Sequence, residues 1–261
     1  RALNPGLINL QISGYGAAGE AAKMKAYDFL VQAESGVCAV TGTLEQPSRV
    51  GVSLCDIATG LTSFSAILRA LIQRSKTGSG VDLSISMFDV MTEWMNMPLL
   101  AHRYLPAKPE RMGLTHSLLC PYGAYECGDG SSILIAIQNE REWAVFCAEV
   151  LNKPEMSVDP RFVSNSDRVA NRAVVDAEIS AVFSRFDREE LATILQTAKI
   201  AWSRLNGLED VVNHPLLREI TASFGAAKVK LVDLPVKTDG VRPSEVPMLG
   251  QHSDTIRQEF S

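Results

Sequence analysis

The alternation of two periods along residues 7–104 does most to limit how this chain folds. Leu7–Ser13 is a short apolar run ending at Gly14, the mark of a buried strand. Gly14-Tyr15-Gly16 breaks it, the small residues Ala17–Ala22 read as loop, and Met24–Ser35 reads as a short helix closed by Gly36. From Asp56, a candidate N-cap, the apolar residues Ile57, Leu61, Phe64, Ile67, Leu68 and Leu71 keep helical spacing until Thr77-Gly78-Ser79-Gly80 ends the run. Val81–Ser86 alternates apolar and polar side chains as a strand does, then leads into a helix over Met87–Tyr104 that Pro98 should kink. Strand, helix, strand, helix implies the edge of a layered α/β domain with a largely parallel sheet.

After a linker carrying Pro106, Pro109 and Gly113 the pattern changes. Tyr122–Cys127 and Ser132–Ile137 flank Gly128-Asp129-Gly130, a hairpin signal. Amphipathic helices are expected over Glu140–Leu151, Ala173–Phe186 and Arg188–Lys199, which makes a second, smaller α+β domain. From Leu216 the chain is irregular, with a β-rich stretch at Lys228–Val232 and a short helix after His252. The expected division is 1–105 for the large domain, 106–117 for the linker, 118–213 for the small domain and 214–261 for a return to the large one.

Twenty-five Lys and Arg against 30 Asp and Glu leave a net charge of −5, which argues against nucleic acid as a partner. Uninterrupted apolar runs such as Ile133–Ile137 are too short to cross a bilayer, so no membrane role is expected. The five cysteines are scattered, with no C-x-x-C pair, and read as reduced thiols of a cytoplasmic or organelle-matrix protein. His102, His116, His214 and His252 lack zinc-ligand spacing, so no metal is expected. Gly14-Tyr15-Gly16 does not continue as a dinucleotide-binding loop. Arg1-Ala2-Leu3-Asn4-Pro5 reads like the middle of a chain, which suggests an upstream segment.

Asp28 is the residue with the most chemistry around it. It falls early in the expected helix, where the dipole favours a negative charge, with Lys23 and Lys25 nearby and Ala26, Tyr27, Phe29 and Leu30 as apolar neighbours. Amides of Gly14–Gly16 are candidate donors to a developing oxyanion. These are the parts of carboxylate nucleophilic catalysis, although an Asp in a first turn also serves simply as a cap.

The wording of the sequence adds a resemblance. Asn4-Pro5-Gly6-Leu7-Ile8, Ile12-Ser13-Gly14-Tyr15-Gly16 and Tyr27-Asp28-Phe29-Leu30-Val31-Gln32-Ala33-Glu34-Ser35-Gly36 closely resemble the class III CoA-transferases (CaiB/BaiF type), the family of carnitine CoA-transferase and formyl-CoA transferase. The likeness continues through Arg49–Leu61, Lys76–Ser84, His116–Tyr122, Asn165–Arg172 and Leu249–Ser253, nearly end to end and in order. It implies an incomplete Rossmann-like large domain, a smaller α+β domain and an interlocked homodimer. It also implies CoA transfer from an acyl-CoA to a free carboxylic acid through an aspartyl anhydride and an aspartyl-CoA thioester. Acyl-CoA is then substrate, and no cofactor is permanently bound.

Residue by residue, the resemblance makes Asp28 the nucleophile. It sets Gly14, Tyr15 and Gly16 beside the reacting acyl group, Gln32 one turn beyond Asp28, and His116 and Tyr122 where the small domain meets the cleft. Arg49 and Asp56 match structural positions, and Arg168 an anchor of the small domain. Racemases of this fold have His before the matching Asp and Ile-Asn after it; Tyr27 and Phe29-Leu30 here favour transfer over 2-methylacyl-CoA isomerisation, with a catalytically inactive CoA-thioester-binding fragment as the other alternative. Gly42–Val50 lacks the glycine run of formyl-CoA transferases, which points away from oxalate or formate exchange. Succinate, malate, citramalate, mesaconate or glutarate are the expected acids, with Arg49, Arg103 and Arg111 as candidates for a distal carboxylate.

Overall fold

The computed structural model describes residues 3–106, 108–236 and 245–261. They divide into two compact units, 1–203 and 204–261. In the first unit, β1 (Asn9–Ser13) pairs in parallel with β2 (Asp82–Ser86), Asn9 opposite Asp82 and Ser13 opposite Ser86. Parallel neighbours need a long crossover, and here α1 (Asp28–Glu34), α2 (Val37–Val40) and α3 (Leu54–Thr77) supply it. The chain then enters α4 (Met87–Trp94), capped by the Ser86 hydroxyl, which accepts from the Asp89 amide at 3.0 Å.

Val31, Val37, Cys55, Ala58, Val90, Met91 and Met95 form the core between these helices. α3 packs on α1 and α4 through one face, while Ile57, Leu61, Phe64 and Ile72 are exposed on the other. By length and composition alone α3 could cross a bilayer, a property that the short apolar runs of the sequence do not reveal. Its polar residues (Asp56, Arg69, Arg74 and Lys76) interrupt every long apolar run.

Three local expectations change. The helix expected from Met24 begins at Asp28, with Tyr27 as the extended N-cap residue. Residues 19–23 instead form a 3₁₀ turn, and Ala26 is held so close to Gly14 that a β-carbon there would lie 2.1 Å from that of Ala26. α3 starts at Leu54, which puts Asp56 in its first turn and not at the cap. The helix over Met87–Tyr104 breaks at Met95 into α4 and α5 (Asn96–Tyr104), ahead of Pro98, because the proline ring disfavours helical geometry in the residues before it.

A second core lies further along the same unit. β3 (Tyr122–Glu126) and β4 (Ser132–Ala136) form an antiparallel hairpin, with β5 (Ala201–Arg204) beside β4. Tyr125, Ile133 and Ile135 face α8 (Arg172–Phe183) and α9 (Arg188–Thr197) with Trp143, Phe146, Phe183 and Leu195. The helix expected over Glu140–Leu151 is α6 (Glu140–Val145) followed by a π-turn through Val150, in which the Leu151 amide reaches back to Phe146 O at 3.0 Å. Arg168 on α7 (Asn165–Ala170) is fully buried here; its Nε donates to Cys120 O at 2.8 Å, Nη1 donates to Phe162 O at 3.0 Å, and its guanidinium lies 5.1 Å from the Trp143 ring centroid.

Residues 204–261 contain α10 (Leu208–Val212), antiparallel β6 (Glu219–Phe224) and β7 (Ala227–Val232), the short β8 (Glu245–Val246) beside β6, and α11 (Ser253–Glu259). Arg218 donates to Asp233 and to Leu234 O within this unit.

Candidate active site

Two helix N-termini meet at one carboxylate. Asp28 is the first residue of α1, and its side chain reaches across to the first turn of α3. Oδ1 accepts from the Cys55 amide at 2.7 Å and from the Asp56 amide at 3.4 Å, while Oδ2 accepts from Gln32 Nε2 at 2.7 Å. Ser53, the N-cap of α3, makes no side-chain cap bond, so Asp28 satisfies those donors from 27 residues away in sequence. Amides at a helix start are donors of fixed direction, and the 24-residue α3 adds a favourable dipole. Asp28 is half-buried, so the carboxylate is both held and reachable.

Gln32 lies one turn along α1 and is fully buried. Its Oε1 accepts from the Val50 amide at 2.9 Å, and its Nε2 also lies 3.4 Å from Val50 O and Val52 O. The side-chain amide therefore cannot turn over without setting donor against donor, which fixes Nε2 on the Asp28 side. Next to the carboxylate, burial first and then the Asp28 charge and hydrogen bond push the Cys55 thiol up to about 12, so it sits there neutral.

The glycine turn is tied to α4. Gly14 O accepts from the Phe88 amide at 3.0 Å, which ties the turn to the start of α4, and Gly16 has φ +134°, open to glycine. The Tyr15 ring packs 6.1 Å from that of Phe88, and desolvation, with smaller effects of Glu34 and Cys55, raises its phenol. The amides that reach Asp28 belong to Cys55 and Asp56, not to Gly14–Gly16. Lys23 is committed to Glu20 at 2.7 Å, and Tyr27, Phe29 and Leu30 are exposed.

His116 and Tyr122 pair with each other. Their rings stack with centroids 5.3 Å apart, the His116 amide donates to Tyr122 O at 3.0 Å, and His116 Nδ1 accepts from the Leu118 amide. His116 lines a cavity of about 470 Å³ with Val40, Met97, Ala101, Thr115 and Leu118. Of the three arginines considered for a distal carboxylate, Arg111 is spent on backbone, donating to Thr43 O and Leu44 O at 2.7 and 2.8 Å. Arg103 ends α5. Arg49 is exposed, stands 5.6 Å over the ring of Phe29 and directly precedes Val50, the partner of Gln32. Among the described residues no group of three His, Cys, Asp or Glu is placed to hold a metal.

The role of the Cys55 and Asp56 amides was hidden in the sequence, although Ser53-Leu54-Cys55-Asp56 carries a signal. A Ser followed three residues later by an acid marks a helix start, and it places the free amides one to three residues after Ser53. What fills that start from a distance is not a local property.

The family model described as CoA-transferase family III matches residues 1–253. The chain is 30% identical over 266 residues to the acetyl-CoA:oxalate CoA-transferase of Acetobacter aceti, covering 99% of this chain and 68% of that protein. It is 29% identical over 272 residues to the succinyl-CoA:glutarate CoA-transferase of Mus musculus, covering 98% and 60%. The crystal structure of a CAIB/BAIF family protein from Brucella suis superposes with a TM-score of 0.80 at 30% identity, over 100% of this chain and 69% of that one. The chain thus spans roughly two thirds of the length of these relatives, and 60% of the mouse protein.

Proposed function

The chain belongs to CoA-transferase family III, and on that premise we propose that it moves CoA from an acyl-CoA thioester to a free carboxylic acid with Asp28 as nucleophile. The observation that carries this reading is the half-buried Asp28 carboxylate held between the Cys55 amide and Gln32. Asp28 attacks the donor thioester and gives an acyl-aspartyl anhydride and CoA thiolate. The thiolate attacks the aspartyl carbonyl, releasing the donor acid and leaving an aspartyl-CoA thioester. The acceptor acid then reverses both steps. Anhydride and thioester are of comparable energy, so each exchange loses little, and splitting the transfer lowers each barrier.

The acceptor is a small dicarboxylic acid, a reading supported by relatives named for oxalate and glutarate. Arg49 is the basic residue we assign to the distal carboxylate, because it flanks both Phe29 and Val50. Gly14, Tyr15 and Gly16 line the acyl side, and His116, with Tyr122 stacked on it, the cavity of about 470 Å³ that we assign to substrate. The two cores of residues 1–203 correspond in this reading to the large and small domains. The working form is an interlocked homodimer; exposed Trp94, Met97 and Tyr104 on α4 and α5 favour such a contact. Five free cysteines favour a cytoplasmic or organelle-matrix location.

Mass spectrometry of the full-length protein after incubation with succinyl-CoA and hydroxylamine or borohydride trapping tests the chemistry. Modification at Asp28, lost in Asp28→Ala, is expected. Turnover without any adduct on Asp28 would refute it. A panel of oxalate, succinate, malate, citramalate, mesaconate and glutarate then identifies the acceptor.

A further inference from the structure

The two oxygens of Asp28 are held by donors of different kinds. Oδ1 rests on main-chain N–H groups of Cys55 and Asp56, whose direction the helix fixes. Oδ2 rests on a side-chain amide, Gln32 Nε2, itself locked by Val50 and Val52. We infer that Gln32 is a positioning residue that presents Oδ2 as the attacking and bridging oxygen, while Oδ1 stays on the α3 amides throughout as the carbonyl. The inference rests on Asp28 being the nucleophile.

The chemistry needs this inequality. Oδ2 forms the bond to the donor's acyl carbon as the C–S bond breaks and CoA leaves as thiolate. The thiolate then adds to Cγ, the Cγ–Oδ2 bond breaks, and the donor acid departs as a carboxylate carrying Oδ2. An acceptor carboxylate oxygen next adds to Cγ, the Cγ–S bond breaks, and that oxygen occupies the place Oδ2 held. Thiolate attack on the acceptor's acyl carbon finally returns the carboxylate to Asp28. Both additions at Cγ put the negative charge of the tetrahedral intermediate on the oxygen that never leaves. That is Oδ1, at the positive end of a 24-residue helix. The position that gains and loses an oxygen faces Gln32, which donates to a neutral bridge, a carboxylate or an incoming acid alike.

The test is the aspartyl-CoA thioester that accumulates when full-length protein carrying aspartate labelled with carbon-13 at the carboxyl carbon is mixed with succinyl-CoA and no added acceptor. The carbonyl stretch of this thioester, read by isotope-edited infrared difference spectroscopy, is expected below that of the same thioester free in water. It should stay there in Gln32→Met, whose kcat falls about tenfold to a hundredfold through misplacement of the entering oxygen, with KM for succinyl-CoA unchanged. Two results overturn the inference: a wild-type band at the free-thioester position, or a band that moves up in Gln32→Met, which would put the carbonyl on Gln32. A wild-type band at the free-thioester position overturns the inference even if Gln32→Met does not fold. Absence of any aspartyl adduct would instead remove the nucleophile reading on which this one stands.

Discussion

Replacing Asp28 with Asn changes one acceptor into a donor and nothing else in size. The wild-type carboxylate accepts from both sides, from the Cys55 amide at 2.7 Å and from Gln32 Nε2 at 2.7 Å. An Asn can serve only one of them. With its oxygen on the helix, its NH₂ faces the NH₂ of Gln32; with its oxygen on Gln32, its NH₂ faces the Cys55 amide. Turning Gln32 over removes the acceptor from the Val50 amide, now bonded at 2.9 Å, so the conflict moves without ending. Each arrangement leaves one donor unpaired beside the fully buried Gln32, at a cost of about 1–3 kcal/mol. For a chain of this size that is a fall in Tm of roughly 2–4 °C for each kcal/mol. Calorimetry of Asp28→Asn and wild type measures the fall, and hydrogen exchange of a peptide spanning residues 50–58 locates it, since the Cys55 and Asp56 amides should exchange faster. An Asn variant melting at or above the wild-type temperature, with those amides still protected, would refute the reasoning.

Arg168→Ala should destabilise the hairpin core by about 1–3 kcal/mol for each of the Cys120 and Phe162 carbonyls, which lose their donors inside packed core; near-UV circular dichroism and denaturant titration read it, while exchange around Val31 and Val90 should be unaffected. Alkali should destabilise the fold. Burial chiefly holds the Cys55 and Cys147 thiols up at about 12 and Cys120 at about 11, against an ordinary value of 9.0. Above pH 9 the unfolded chain releases protons that the folded one keeps, so stability present below that pH is lost as it rises towards 12, and melting curves across this window test the sign. Arg49→Met should raise KM for the dicarboxylic acceptor about tenfold with kcat little changed; equal KM values would remove Arg49 from the acceptor site. No α-proton of a 2-methylacyl-CoA should exchange with deuterium in the absence of an acceptor acid, and exchange dependent on Asp28 would favour the isomerase class.

Hydrophobic period was enough to read the strands at residues 9–13 and 82–86, the long helix up to Thr77 and the Gly128-Asp129-Gly130 hairpin. Period is local information about the type of element and not about what covers it: the hairpin buries Tyr125, Ile133 and Ile135, whereas the apolar face of α3 (Ile57, Leu61, Phe64) and Ile12 of β1, read as a buried strand, are exposed. The resemblance carried by Tyr27-Asp28 and Gln32 pointed to one carboxylate, and helical spacing placed Gln32 on its face, since i and i+4 share a helix face whatever surrounds them.

Helix starts were less legible, for a physical reason. α1 begins at Asp28 and not near Met24, because Ala26 is pressed against Gly14, a contact between segments 12 residues apart. α3 begins after Ser53, and its amides take a carboxylate from another helix, so neither the cap nor the oxygen-by-oxygen division of Asp28 is written in neighbouring residues. Likewise Arg111, one basic residue among several in sequence, proves to hold the turn at Thr43 and Leu44, while Arg49 remains exposed beside Phe29. Sequence alone determined which side chains this protein owns, the period of each element and, through the family resemblance, which carboxylate we propose as nucleophile. Tertiary structure alone decided which donors meet that residue, because a hydrogen bond across 27 residues depends on how α1 and α3 pack and on nothing either helix encodes by itself.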